Sequence, residues 1–264
     1  MTAQSSRPPC IIVTGSSGGI GSATLDILAQ SPEFKDCTLI GLSLEAGDKK
    51  LSEGAGVITI QADVSQAESI DKIFSQINES YTILGLVNAA GLLHHGPALE
   101  CSAQDLEKVL AVNALGVFNT SNAAARHMVA DNQDPSLYRQ RSIVTLASNA
   151  ATGPRSLFSA YGASKAFASH YTRSLGLEIG QYGIRANVIC PGTTLTPMLE
   201  PIWQGQDLSQ ETIAGSPEHY RNGIPLKKIA RPEEIASVVH FLLSSASSHI
   251  TLAELTADGG ATQR

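Results

Sequence analysis

The sequence predicts an α/β chain, a doubly wound parallel sheet of about seven strands with helices on both faces, folded as a single domain over residues 1–264. Three observations predict it. Short β-rich apolar runs alternate with longer helical patterns from one end of the chain to the other. The runs are continuously apolar, as strands covered on both faces must be. A glycine cluster directly follows the first run and opens the first helical pattern, where an open α/β sheet makes its ligand turn.

In chain order, "CIIVTG" (10–15) is the first strand and "GIGSATLDILAQ" the helix after it. "TLIGL" (38–42) and "VITIQA" (57–62) are the next strands, followed by the helical "AESIDKIFSQINES". The strand "ILGLVNAA" (83–90) leads into one long helix, "SAQDLEKVLAVNALGVFNTSNAAARHMVA". "DNQDPSLYRQR" (131–141) is polar and turn-rich, a surface loop before the strand "SIVTLAS" (142–148). The helix "YGASKAFASHYTRSLGLEIGQY" and the strand "IRANVIC" (184–190) follow. A long polar stretch, 193–228, comes next. Ligands bind at the carboxyl ends of strands in such sheets, so this stretch is a candidate substrate-binding lid. "RPEEIASVVHFLLS" and "ELTAD" (254–258) supply the last helix and strand. No internal repeat breaks the alternation.

The formal charge of −6 and the absence of any Lys/Arg run argue against a nucleic-acid or anionic-membrane partner. Cys10, Cys37, Cys101 and Cys190 are scattered, with no C-x-x-C pair. They read as free buried thiols in a reducing compartment, with no metal site implied. The polar start "MTAQSSRPPC" carries no signal-peptide core, and no apolar run is long enough to span a bilayer, so the expected location is the cytoplasm.

Two local patterns carry chemistry. In "VTGSSGGIGSA", Gly15, Gly19 and Gly21 have the spacing G-x-x-x-G-x-G. Glycines let backbone turn tightly against a pyrophosphate, and the helix that follows offers N–H groups and a positive dipole end. In "SAYGASKAFASHY", Tyr161 and Lys165 are four positions apart, on one face of a helix lined with small residues. A phenol has an ordinary pKa of ~10 and is a poor base at neutral pH; nearby positive charge favours the tyrosinate.

With "TGSSGGIG", "ADV" (62–64), "NAAG" (88–91), "VNALG" (112–116), a Ser thirteen residues before a Tyr, "YGASK" and "PGTTLTPM" (191–198) in that order, the sequence resembles a short-chain dehydrogenase/reductase over about residues 10–260. The resemblance implies an oxidoreductase using NAD or NADP. It implies Ser148, Tyr161 and Lys165 as a catalytic triad and Asn113 as a fourth member that anchors a water for proton relay. Tyr161 would take the hydroxyl proton, Lys165 would hold the nicotinamide ribose, and Ser148 would hold the substrate oxygen. For the cofactor it implies the turn Gly15, Ser17, Gly19, Ile20 and Gly21; Asp63 and Val64 at the adenine; Asn88, Ala89 and Gly91 beneath the adenosine ribose; and Pro191, Gly192, Thr194 and Thr196 at the carboxamide. One position departs from the family pattern. NAD-preferring members carry an acid at the end of the second strand, where this chain has Ser43, while Lys49 and Lys50 are distant. NAD is the expected cofactor, with NADP left open.

A narrower likeness joins "IVTLASNAATGPRSLFSAYGASKA", "GIPLKKIARPEEIA" and "SSHITLAELTADGGAT" to the 2,3-dihydro-2,3-dihydroxybenzoate dehydrogenases of catechol-siderophore biosynthesis. It implies oxidation of a cyclohexadiene alcohol bearing a carboxylate, driven by aromatisation. Arg155 is the candidate carboxylate ligand, because a guanidinium suits bidentate binding, although a surface ion pair would equally explain it. His94 is a second candidate contact. Other expectations remain open: a 2,3-dihydro-3-hydroxyanthranilate dehydrogenase, a carbonyl reductase, or a non-catalytic dinucleotide sensor. The complete Tyr/Lys/Ser set favours an enzyme over the sensor. The two Ala/Ser/Gly-rich helices match those through which family members form tetramers, so a homotetramer is expected.

Overall fold

The computed structural model describes residues 7–45, 57–131 and 141–262. Seven parallel strands form one sheet: β1 (Pro9–Thr14), β2 (Thr38–Ser43), β3 (Val57–Gln61), β4 (Thr82–Asn88), β5 (Ser142–Leu146), β6 (Arg185–Pro191) and β7 (Glu254–Ala257). Their order is β3-β2-β1-β4-β5-β6-β7, so the direction of winding reverses between β1 and β4. At such a reversal the connecting segments leave in opposite directions and open a crevice at the strands' carboxyl ends.

The helices are α1 (Gly19–Ala29), α2 (Ala67–Ser80), α3 (Ala103–Leu110), α4 (Gly116–Ala130), α5 (Asn149–Thr152), α6 (Ser159–Ile179), α7 (Glu200–Trp203), α8 (Ser209–Ala214) and α9 (Pro232–Leu243). Period-two alternation along β1 sends Ile11 and Val13 to one face and Cys10 and Ile12 to the other. The first face packs on Leu25 and Leu28 of α1 and Val239, Leu242 and Leu243 of α9. The second packs on Ile70, Phe74 and Ile77 of α2, on Ala123, Ala124 and Met128 of α4, and on Ile179 of α6. Both faces are apolar and covered, which is why the central strands read as unbroken apolar runs.

The structure corrects three expectations, and a fourth falls largely outside the described residues. The edge strands β3 and β7 carry no fully buried residue, because a sheet margin has no neighbour on its outer side. The expected single helix from 102 to 130 is interrupted by a π-helical turn at Ala111–Leu115. Cys37 and Cys101 are half-buried, while Cys10 and Cys190 are buried; all four thiols are free. Of the expected loop 131–141, only Asp131 and Arg141 are within the described residues.

Candidate active site

At the winding reversal a groove and a cleft meet. The groove, about 1350 Å³, runs along the ends of β1 and β2 and is lined by Gly15, Ser17, Gly19, Ile20, Gly21, Ser43, Asp63, Val64, Ala89, Gly91 and Thr196, among others. The cleft, about 960 Å³, lies over β5 and β6 and is lined by Ser148, Tyr161, Lys165, Arg155, Pro191, Gly192 and Thr194. Gly91, Ile20, Ala89 and Thr196 line both, so the two spaces are continuous.

The groove is shaped by what its glycines leave out. Gly15 has φ +64°, and a Cβ on it would stand 2.7 Å from Ala90 backbone. A Cβ on Gly21 would meet the Gly15 carbonyl at 2.2 Å, and one on Gly19 would meet Thr196 at 2.5 Å. The turn is therefore closed against itself and against the segment after β6. Thr14 Oγ1 accepts from both Ala89 N and Ala90 N at 3.1 Å, fixing the end of β4 beside it. These glycines and the start of α1 fit the pyrophosphate of a dinucleotide, and the groove continues past Asp63 toward the end of β2.

Asn88 lies outside the groove. Its amide donates to Ser121 Oγ and Thr145 Oγ1 and accepts from Thr120 Oγ1 at 2.7 Å, tying β4 to α4 and β5. It thereby braces the end of β4, from which Ala89 and Gly91 enter the groove. Ser43 is buried, its hydroxyl spent on the Glu45 carbonyl at 2.7 Å. Glu45 itself lines the groove, an acidic group the sequence reading passed over because it lies two residues beyond the strand end. No Lys or Arg lines the groove among the described residues, and Lys49 and Lys50 are outside them.

Ser148 ends β5's extended path and caps α5, its hydroxyl accepting from Ala150 N at 3.1 Å. That hydroxyl also hydrogen-bonds the phenol of Tyr161, one turn into α6. Tyr161 is almost fully buried, and burial pushes its pKa above the ordinary value, against the Ser148 hydrogen bond and the positive charge of Arg155. The cation whose field lowers it is thus Arg155. Lys165 lies 6.0 Å from the ring centre, with Nζ donating to the Leu146 carbonyl at 2.8 Å. Burial lowers Lys165 to about 8. Gly91 packs closely here: a Cβ on it would be 3.3 Å from Lys165 Nζ and 3.5 Å from Asn113 Oδ1.

Asn113 sits in the π-helical turn and is fully buried. Its Oδ1 accepts from Leu92 N and its Nδ2 donates to Leu92 O, both at 2.8 Å; Nδ2 also donates to Ser164 Oγ at 2.9 Å. Both side-chain donors are engaged, so the side chain can offer a relayed water only a lone pair of Oδ1. π-turns recur where a helix must present one side chain out of register.

Arg155 follows α5 and reaches into the cleft. Its Nη1 donates to Asn149 Oδ1 at 2.6 Å, and burial lowers its pKa to about 10. It forms no ion pair among the described residues, so the surface-pair expectation fails. His94 does not line the cleft, whereas Leu93 does. His95 instead packs edge-on against Phe158, with ring centres 4.9 Å apart. Trp203, Phe158 and Arg221 also line the cleft; the contacts that bring them there are tertiary, and no spacing in the sequence signals them. Among the described residues no group of His, Cys, Asp or Glu is arranged to hold a metal, and no helix is long and apolar enough to cross a membrane.

A dinucleotide groove running into a buried Ser/Tyr/Lys cleft is the arrangement of an oxidoreductase, and the chain belongs to the short-chain dehydrogenase/reductase family. Residues 17–262 match the family described as enoyl-(acyl carrier protein) reductase. Among individual relatives, the chain is 38% identical to the 2,3-dihydro-2,3-dihydroxybenzoate dehydrogenase of Bacillus subtilis over 99% of both chains. It is 37% identical to the Escherichia coli protein of that name over 95% of both. Among solved structures, a short-chain type dehydrogenase/reductase from Mycobacterium marinum superposes with a TM-score of 0.81 at 26% identity, covering 98% of this chain and 97% of that one. A 4-hydroxyisoleucine dehydrogenase complexed with NADH gives 0.82 at 25% identity, covering 97% and 99%. Dehydrogenases of this family use NAD(P).

Proposed function

We propose that the protein oxidises 2,3-dihydro-2,3-dihydroxybenzoate to aromatic 2,3-dihydroxybenzoate in siderophore biosynthesis, with NAD as the cofactor. One observation carries the reading: Arg155, half-buried and without an ion pair among the described residues, shares a cleft with Ser148, Tyr161 and Lys165. Relatives that match nearly the whole chain and are named for this reaction support it.

The bound dinucleotide supplies the hydride acceptor. The protein's part is to position the alcohol and to take its proton. Ser148 holds the substrate oxygen and Tyr161 takes the hydroxyl proton as the adjacent C–H bond yields its hydride. The phenol needs help to ionise, and the Ser148 hydrogen bond and the Arg155 charge both supply it. Lys165, held by the Leu146 carbonyl, faces the junction of groove and cleft, where the ribose would lie. The ring ketone formed tautomerises, a ring C–H giving up its proton as the ketone oxygen gains one, to yield the catechol, so aromatisation draws the reaction forward. Arg155 holds the carboxylate and sets which edge of the ring meets Tyr161.

NAD is favoured over NADP because Glu45 and Asp63 are the charged groups lining the groove. A carboxylate accepts a hydrogen bond from a ribose 2′-hydroxyl and repels a 2′-phosphate. Residues 193–228 act as the lid over the substrate, all within one cytoplasmic domain. The protein works as a homotetramer, a reading supported by the exposed Phe118 and Phe167 on α4 and α6.

The test is to incubate the protein with NAD or NADP and cyclohexadiene diols with and without a carboxylate, including the amino analogue, and to follow aromatic product and reduced cofactor together. The expected outcome is rapid turnover of the carboxylated diol with NAD and none by Tyr161→Phe. Failure with every diene alongside reduction of simple ketones would overturn the reading.

A further inference from the structure

Arg221 lies in the segment after β6 and before α9, and nothing in its sequence surroundings marks it. Its backbone is held firmly: Arg221 N donates to Ser216 O and Ser216 N donates to Arg221 O, both at 3.0 Å. Gly215, at φ +94°, lets the chain pass so close that a Cβ would stand 2.7 Å from the Arg221 carbonyl. Ile224 N then donates to Ile213 O at 2.8 Å, closing the loop on α8. The loop displays one side chain inward, and that side chain lines the cleft of Tyr161.

Two guanidinium groups meet there on one aromatic ring. Arg155 Cζ is 5.7 Å and Arg221 Cζ 5.9 Å from the centre of Phe158. Their charges are mutually unfavourable, and the positive charge of Arg221 contributes to the lowered pKa of Arg155. Among the described residues Asp258 partly offsets the charge of Arg155, and no acid is paired with Arg221. Neither guanidinium forms an ion pair among the described residues, and Arg221 Nε is buried without a hydrogen-bond partner. Asp258 lies near Arg155, but its carboxylate already accepts from Gly260 N, Thr262 N and Thr262 Oγ1. Its hydrogen-bonded link to Arg155 runs through Asn149, whose Nδ2 donates to it at 3.4 Å and whose Oδ1 accepts from Arg155 Nη1.

Holding two half-buried cations against one ring, with a single nearby acid whose oxygens are already hydrogen-bonded, is costly, and a ligand anion removes that cost. We propose that Arg155 and Arg221 together form the carboxylate clamp of the substrate site, with Arg221 the residue through which the segment after β6 selects carboxylate-bearing rings. The proposal rests on the dehydrogenase reading above and extends it to a residue of that segment. Phe158, Leu93, Met198 and Trp203 surround the two cations with apolar surface, which suits a small cyclic acid. Arg155 is preset by Asn149, whereas the Arg221 Nε–H has its hydrogen bond still to make.

The experiment compares wild type, Arg221→Gln and Arg221→Lys on a cyclohexadiene diol with a carboxylate and on the same diol without it. Binding of benzoate is measured separately by calorimetry, and NADH affinity by fluorescence titration. A hydrogen bond to a charged group is worth roughly 10- to 100-fold in affinity, so Arg221→Gln is expected to raise KM for the acid and Kd for benzoate by that factor. The neutral diol and NADH should be unaffected, and Arg221→Lys should recover part of the loss. An equal loss on acid and neutral diol would mean that Arg221 only supports the loop, and would overturn the clamp. So would unchanged KM and benzoate affinity in Arg221→Gln while the wild type turns over the acid, which leaves the dehydrogenase reading standing. Wild-type protein that neither oxidises the acid nor binds benzoate overturns both.

Discussion

Lys165 shows how burial and function oppose each other in one side chain. Its ammonium lies inside the protein and donates to the Leu146 carbonyl, and its pKa falls from 10.5 to about 8. At neutral pH it remains protonated, and the fold carries the cost of that charge. Between about pH 8 and 10.5 an unfolded chain still binds the proton while the folded one has released it. Stability attributable to this residue therefore rises with pH across that window. Lys165→Met removes the titrating group, so its stability relative to wild type should be most favourable below pH 8 and should decline by roughly 3 kcal/mol as pH approaches 10.5. Denaturant melts of both proteins across that range measure it. A difference that stays flat with pH would show that Lys165 is not buried as a cation. Tyr161 and Lys165 were legible from their spacing and their company of motifs. The cation acting on Tyr161 was not, because Arg155 reaches the phenol through space from the loop after α5 and no periodicity links the two.

Elements were legible where a period or a turn signal controls them. The central strands and the long helices follow from apolar runs and helical spacing, since both faces of the sheet are covered. The π-helical turn was not legible: one extra residue in a turn leaves the apolar pattern of Ala111–Leu115 nearly unchanged, and only the tertiary bonds of Asn113 to Leu92 and Ser164 reveal its use. The short helices α7 and α8 were equally invisible, being too short for a period to register. The glycine turn makes the sharpest demand at this scale. A methyl on Gly21 would overlap the Gly15 carbonyl at 2.2 Å, and backbone cannot yield there without opening the turn. At Gly96 an added methyl meets nothing within 4 Å. Gly21→Ala should abolish NADH binding in a fluorescence titration, and Gly96→Ala should leave it within about twofold, the small effect ordinary for an open surface site. Retained affinity in Gly21→Ala would remove the turn from the cofactor site.

At the scale of the whole molecule, α4, the π-helical turn before it and α6 present more apolar surface than a solitary subunit would be expected to leave in water. Leu115, Phe118, Phe167 and Leu177 are each more than two-fifths exposed. Phe118 meets Tyr171 with ring centres 5.2 Å apart, and Tyr171 stacks on Phe167 at 6.0 Å, so aromatic residues of the two helices form one patch. Sequence reading singled out these helices for their small residues; the aromatic patch adds the apolar area that association would bury. The same α6 carries Tyr161 and Lys165 on its inward side, which couples the patch to the cleft through a single rigid element. The double variant Phe118→Glu, Phe167→Glu places like charges across any symmetric contact made by this face. Light scattering should show a smaller species than wild type at micromolar concentration, with a lower melting temperature. Turnover should fall through loss of kcat, because a less supported α6 holds Tyr161 less firmly against Ser148. A variant that keeps the wild-type mass and rate would place the interface on another face, and a wild-type monomer would overturn the tetramer itself.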